Sequence, residues 1–167
     1  MLEKFFPVLI ADSINHIDID DLKSKNVKGL ILDIDNTLVP NHVAEADENA
    51  VRWIEKVKSS GFKVCIVSNA TKQRVVKFNE KLKVFAIHRA MKPGSKAFLK
   101  AKRLMDLKEN EIAVIGDQIF TDVYGGNKVG MVTILVKPID RHEALFVKLK
   151  RFPEKFVLKK YEARKKK

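Results

Sequence analysis

Asp33 and Asp35, in the stretch LILDIDNTLVP, stand two residues apart at the end of an apolar run. Two carboxylates at that spacing repel unless a positive charge lies between them, and apolar flanks limit the water that would screen them. Further polar groups follow in order: Ser68 with Asn69 in CIVSNA, Lys92 in MKPGSKAF, and Asp117 with Asp122 in VIGDQIFTD. Each has an ordinary structural reading, as a calcium-loop fragment, a helix N-cap, a solvated lysine or a capped turn. None of these explains why all four groups follow apolar runs in succession.

The set suits phosphoryl transfer through an aspartyl-phosphate. A carboxylate nucleophile divides a difficult hydrolysis into two easier steps, and phosphate monoesters need rate enhancements of up to about 10²¹-fold. Asp33 is the expected nucleophile. An anion attacking a phosphate dianion needs a cation nearby, and Mg²⁺ serves with one or two carboxylates, substrate oxygens and retained waters. Asp33 and Asp117 are its expected ligands. Asp35, two residues on, is placed to protonate the leaving oxygen and then deprotonate the attacking water. Ser68, with Asn69 beside it, and Lys92 are expected to hold the phosphoryl group. Asp122 either supports the water shell of the metal or orients Lys92.

These groups must be carried by strands. Five runs, GLILD, KVCIVSN, VFAIH, IAVIGD and VTILV, are apolar throughout and alternate with stretches of helical spacing such as Val51, Ile54 and Val57 before Gly61. That alternation predicts a five-stranded parallel sheet covered on both faces, a three-layer α/β/α, Rossmann-like domain. In such sheets ligands bind beyond the carboxyl ends of the strands, where the polar residues cluster. The expected organisation is an N-terminal segment (1–28), a catalytic core (29–140) and a basic C-terminal segment (141–167).

The succession DIDNT, SN, KP and GDQIFTD resembles the four motifs of the haloacid dehalogenase (HAD) superfamily. The wording around them, LDIDNTLV, VSNA, KPGSKAF and VIGDQIFTDVYGGNKVGMVTILV, is similar to the YqeG family of HAD subfamily IIIA. The resemblance implies the same roles: Asp33 nucleophile, Asp35 acid/base, Asp117 for the metal, Ser68 and Lys92 for phosphate. It adds the backbone carbonyl of Asp35 to the Mg²⁺ ligands. Response-regulator receivers also use a strand-end Asp, a hydroxyl and a Lys, but lack an acid two residues beyond the acceptor, so Asp35 favours turnover.

The spacing from Asp33 to Ser68 and from Ser68 to Lys92 leaves no room for a cap domain, which predicts an open site suited to large or surface-bound substrates. Of the net charge of +12, the stretch 141–167 holds eleven Lys/Arg against three Glu. Apolar residues at 145, 149, 152 and 156, interrupted by Pro153, alternate there with Lys148, Lys150, Arg151 and Lys155, an interfacial pattern that a packed helix would also show. With Phe5, Phe6, Val8 and Leu9 near the start, this points to an anionic membrane surface as partner, with nucleic acid the less favoured alternative. Mitochondrial relatives of the YqeG family resemble phosphatidylglycerophosphate phosphatases, so a lipid phosphate is the leading substrate. Catalytic residues end at Asp122, which puts the tail outside the chemistry.

No apolar run is long enough for a signal sequence or a span, and the expected location is cytoplasmic, peripheral on the inner face of the membrane. Cys65 is expected to be a buried free thiol, and Trp53 to pack a helix on the core. His16, His42, His88 and His142 have no metal spacing. Gly125, Gly126 and Gly130 suit close packing and a helix end.

Overall fold

The computed structural model describes residues 2–140 and 145–165. His142 lies outside them, as do the side chains of Leu145 and Lys150. The described strands are β1 (Leu9–Ala11), β2 (Gly29–Leu32), β3 (Lys63–Val67), β4 (Phe85–Ile87), β5 (Ile112–Gly116) and β6 (Val132–Val136). The helices are α1 (Ile19–Ser24), α2 (Glu48–Ser59), α3 (Lys72–Asn79), α4 (Ser95–Met105), α5 (Tyr124–Lys128) and α6 (Leu145–Lys165).

All strands run parallel in the order β1-β6-β5-β2-β3-β4. The sheet therefore has six strands, not the expected five. The extra strand, β1, pairs Leu9 with Ile134 and Ala11 with Val136 at the sheet edge. Three residues are too few to show a period, and the stretch Leu9–Ala11 reads in sequence as part of the preceding apolar patch.

Side chains alternate between the two faces of the sheet. Leu30, Leu32, Val64, Ile66, Ala113 and Ile115 face a core closed by Trp53, Ile54 and Val57 of α2 and by Val75 and Phe78 of α3. Ile31, Cys65, Val67 and Val114 face Phe98, Ala101 and Met105 of α4. Cys65 is buried and free, and burial pushes its thiol up to about 12. A side chain at Gly125 would come within 2.5 Å of the Phe98 ring, so α5 needs glycine to lie against α4.

The chain moves from β2 outward through β3 and β4, then crosses back to β5 and β6. The order reverses between β2 and β5, the place beyond whose strand ends sheets of this kind bind their ligands. Helix α6 lies across this region. Its Val157 packs with Ile119, Val123 and Leu135, and Phe5, Phe6, Phe120 and Leu158 surround them. Phe5 stacks edge-on to Phe120, and Phe6 to Tyr161 of α6, so these two partly buried N-terminal aromatics pack beside the helix.

The helix runs through Pro153, which is exposed, so water can reach the carbonyl that the proline leaves without a donor. Of the predicted apolar stripe, Leu149, Phe152 and Phe156 face outward and are 59%, 71% and 55% exposed. The face that packs consists instead of Glu154, Val157 and Tyr161.

Candidate active site

The reversal point brings the residues after β2 and β5 side by side. Asp33 follows β2, its backbone N–H donating to Ile115 O at 3.1 Å, and Asp117 follows β5. Beyond Asp117 the chain forms a π-helical turn, Ile119–Val123, whose wide pitch directs Asp122 back over the end of β5. Gly116 makes this possible, because a Cβ there would overlap the Asp122 carboxylate. Carboxylate oxygens of Asp33, Asp117 and Asp122 all lie within 4.8 Å of one another, in buried positions.

Lys92 enters from the loop after β4. Its ammonium donates to Asp33 Oδ1 at 2.8 Å and to Asp122 Oδ1 at 2.6 Å, and Asp122 Oδ2 accepts from Gln118 N at 3.3 Å. Of the two tasks open to Asp122 in the sequence, the one visible here is the orientation of Lys92. Asn69 has both ends of its amide on the Lys92 backbone: Lys92 N donates to Oδ1 at 2.7 Å, and Nδ2 donates to Lys92 O at 3.3 Å. Expected among the phosphate-binding residues, it fixes the segment that carries Lys92. Ser68 is buried and its Oγ accepts from Ala70 N at 3.1 Å.

Asp35 is not one of the three clustered carboxylates. Asn36, at φ 61°, adopts the left-handed conformation that Asn tolerates, and the following turn closes with Asn36 N donating to Val39 O at 2.8 Å. Arg74 of α3 grips Asp35 Oδ1 through Nε at 3.0 Å and Nη2 at 2.7 Å, and its Nη1 donates to Val43 O at 2.8 Å. Asp35 is thus half-exposed, held by one oxygen, beside the cluster and outside it.

A second arginine reaches the cluster from an unexpected element. Arg151 of α6 donates from Nη1 to the backbone carbonyl of Asp117 at 2.7 Å and from Nη2 to Asp117 Oδ2 at 2.5 Å. Glu154, one turn on, accepts from Arg151 at 2.9 Å and from Ile119 N at 2.8 Å. The basic segment, placed outside the chemistry by sequence reasoning, therefore touches a central carboxylate. Arg74, Arg151 and Glu154 escape sequence analysis because single charges in a strongly charged chain carry no local signature. In sequence, Arg151 is one of a run of cations.

The charge state of the pocket follows from its burial. Burial pushes Asp33 from 3.8 up to about 7; Lys92 opposes the rise, while Asp122 and Asp35 add to it. Asp117 is raised by burial and by Asp33 and Asp122, against Arg151. Burial disfavours the charge on Lys92, yet Asp122 and Asp33 hold its ammonium above the ordinary lysine range. Three buried carboxylates thus face the cations of Lys92 and Arg151, an excess of negative charge built from oxygen atoms. That donor set fits a hard divalent cation.

The family model described as mitochondrial PGP phosphatase matches residues 2–140. The probable phosphatase YqeG of Bacillus subtilis is 44% identical over 95% of this chain and 92% of its own. The chloroplastic/mitochondrial phosphatidylglycerophosphate phosphatase 1 of Arabidopsis thaliana is 28% identical over 84% of this chain and 43% of its own length. In fold, the chain is similar to the cobalt-bound deoxy-D-mannose-octulosonate 8-phosphate phosphatase of Haemophilus influenzae, with a TM-score of 0.57, 14% identity and 77% of each chain covered. With its site at the strand-order reversal of that fold and a relative matching nearly its whole length, the chain belongs to the mitochondrial PGP phosphatase family and is a phosphatase of the HAD superfamily.

Proposed function

We propose that the chain hydrolyses a phosphate monoester through an aspartyl-phosphate on Asp33, with Mg²⁺ as cofactor and a lipid phosphate such as phosphatidylglycerophosphate as substrate. The observation that carries the catalytic reading is the Lys92 ammonium bridging Asp33 and Asp122, with Asp117 in the same cluster. Lys92 draws the phosphoryl group to Asp33 and offsets its charge, and the Ser68 hydroxyl holds a phosphoryl oxygen.

Asp33 attacks phosphorus, the bond to the leaving oxygen breaks, and that oxygen takes a proton from Asp35. Arg74 occupies Oδ1 of Asp35, which leaves Oδ2 for the proton. Asp35 then removes a proton from water, whose oxygen attacks the phosphoryl phosphorus; inorganic phosphate leaves and Asp33 is restored. Asp33, Asp117 and the carbonyl of Asp35 would hold Mg²⁺, which when bound offsets the charge that accumulates between carboxylate and phosphate.

The lipid substrate rests on kinship and on α6. The Arabidopsis relative acts on phosphatidylglycerophosphate by its name. In this chain, Leu149, Phe152 and Phe156 form an exposed apolar stripe beside Arg151, bordered by exposed Lys148, Lys155, Lys159 and Lys160. Each cation near an anionic surface contributes about 1 kcal/mol, and the stripe adds an attraction that salt does not screen. No helix among the described residues is long and apolar enough to cross a membrane. The proposed location is accordingly peripheral, at the inner face of the membrane.

The test is phosphate release from detergent-dispersed phosphatidylglycerophosphate and from soluble esters, with Mg²⁺ or with chelator. Release from the lipid that chelator abolishes and Mg²⁺ restores is expected. Soluble esters cleaved while the lipid stays intact would refute the substrate, and turnover by Asp33→Asn would refute the covalent route.

A further inference from the structure

Asp117 stands where a strand has ended and only the irregular turn before Ile119 follows, so its main chain has no regular element to fix it. Its Oδ1 has Thr37 Oγ1 at a long 3.5 Å. The strong contacts come from α6. One guanidinium spans the carbonyl and Oδ2 of the same residue, and Glu154 bonds both that guanidinium and Ile119 N two residues on. The four groups close a ring around the turn 117–119.

The ring is supported from behind. Val157, one turn beyond Glu154, packs on Ile119 and Val123, so the same helix face clamps both ends of the segment that carries Asp117 and Asp122. Glu154 is only 5% exposed, and burial raises its carboxyl against the pull of Arg151. A buried carboxylate is retained at such a cost only where its partners are well placed.

We propose that Arg151 is a positioning residue for Asp117, which makes α6 a working part of the metal site. A carboxylate whose Oδ2 is held by a planar, two-pronged donor cannot rotate freely, and Oδ1 is left to serve a cation. Groups that orient a metal ligand in this way commonly contribute 10- to 100-fold in metal affinity. The inference rests on the metal-assisted reading proposed above. The opposite effect, a guanidinium that competes with the cation for Asp117, predicts the opposite sign.

Mg²⁺ and Mn²⁺ binding to the purified full chain, measured by calorimetry without substrate, separates the two. Arg151→Gln should raise the metal Kd about 10- to 100-fold, and saturating Mg²⁺ should return much of the lost turnover. Arg151→Lys should recover part of the affinity, since an ammonium is a point donor that cannot span both oxygens. Glu154→Gln, which keeps an acceptor for Ile119 N, should shift Kd in the same direction by less and serves if Arg151→Gln does not fold. Val157→Ala, which touches neither Asp117 nor Arg151 through a polar contact, should lower Tm and shift Kd by much less than Arg151→Gln does.

Metal binding in Arg151→Gln as tight as in wild type, or tighter, overturns the inference, as does an equal loss in Val157→Ala. A chain that shows the expected Kd pattern but cleaves no phosphate ester refutes the proposed substrate and leaves the positioning role standing.

Discussion

Replacing Asp33 by Asn should abolish turnover and, without metal, make the protein more stable above neutral pH. The buried carboxyl is displaced from 3.8 to about 7. Between about pH 4 and 7 the folded chain holds a proton there that the unfolded chain has released, so stability falls as pH rises through that window and levels off above it. At 1.36 kcal/mol per unit, the displacement corresponds to on the order of 4 kcal/mol of destabilisation at pH 8. Asn removes the buried charge and keeps an oxygen for Lys92, which retains Asp122 as its ionic partner. The loss of one carboxylate from Lys92 offsets part of the gain, leaving about 2 kcal/mol, or roughly 5 °C in Tm for a chain of this size. Calorimetric unfolding at pH 5 and pH 8, in chelator and in Mg²⁺, measures this. Wild type should lose stability from pH 5 to 8 in chelator and recover it with Mg²⁺, whereas Asp33→Asn should show a shallower decline, with a remainder due to Asp117. A variant less stable than wild type at pH 8 in chelator would refute the account of the pocket as an excess of buried negative charge.

Arg74→Gln should lower kcat about tenfold or more with little change in KM, because Arg74 holds the proposed proton donor and does not belong to the phosphate-binding set; steady-state kinetics on a soluble ester reads the split. Gly116→Ala should displace the Asp122 carboxylate and with it Lys92, so activity should fall by at least tenfold; a variant with wild-type kinetics would refute the assigned role of that glycine. Phe152→Ser with Phe156→Ser should weaken sedimentation with vesicles containing anionic lipid while leaving turnover of a soluble ester unchanged, and an equal loss on both would mean that the stripe supports the fold.

The groups that follow the strands were legible because parallel strands buried on both faces are apolar throughout, so any polar residue at their ends stands out. Asp33, Ser68, Lys92, Asp117 and Asp122 stood out in this way, and their joint succession outweighed the ordinary reading of each. The sixth strand was not legible, since Leu9–Ala11 is recognisable only by its pairing with β6. Arg74 and Arg151 were hidden for a different reason: each acts across more than thirty residues of sequence, on Asp35 and Asp117, and nothing local announces the contact. The stripe at 149, 152 and 156 was legible as a helical face, yet its side was not. Apolar spacing gives a face without saying what the face meets, and here the buried side carries Glu154 as well as Val157 and Tyr161.

That inversion explains why one helix can serve two environments. A helix that buried its apolar stripe would present its cations to water and leave the turn after β5 unsupported. In α6 the inner face spends few apolar side chains and uses Arg151 and Glu154, which reach a polar turn that hydrocarbon could not hold. The outer face is thereby left with Leu149, Phe152 and Phe156, with Lys155 over the Phe152 ring at 5.9 Å and Lys160 over the Phe156 ring at 5.6 Å. Arg151 and Phe152 are neighbours in the chain, one on Asp117 and the other on the surface. On the proposed lipid reading, the face of α6 that would meet the membrane and the face that holds Asp117 thus belong to one element.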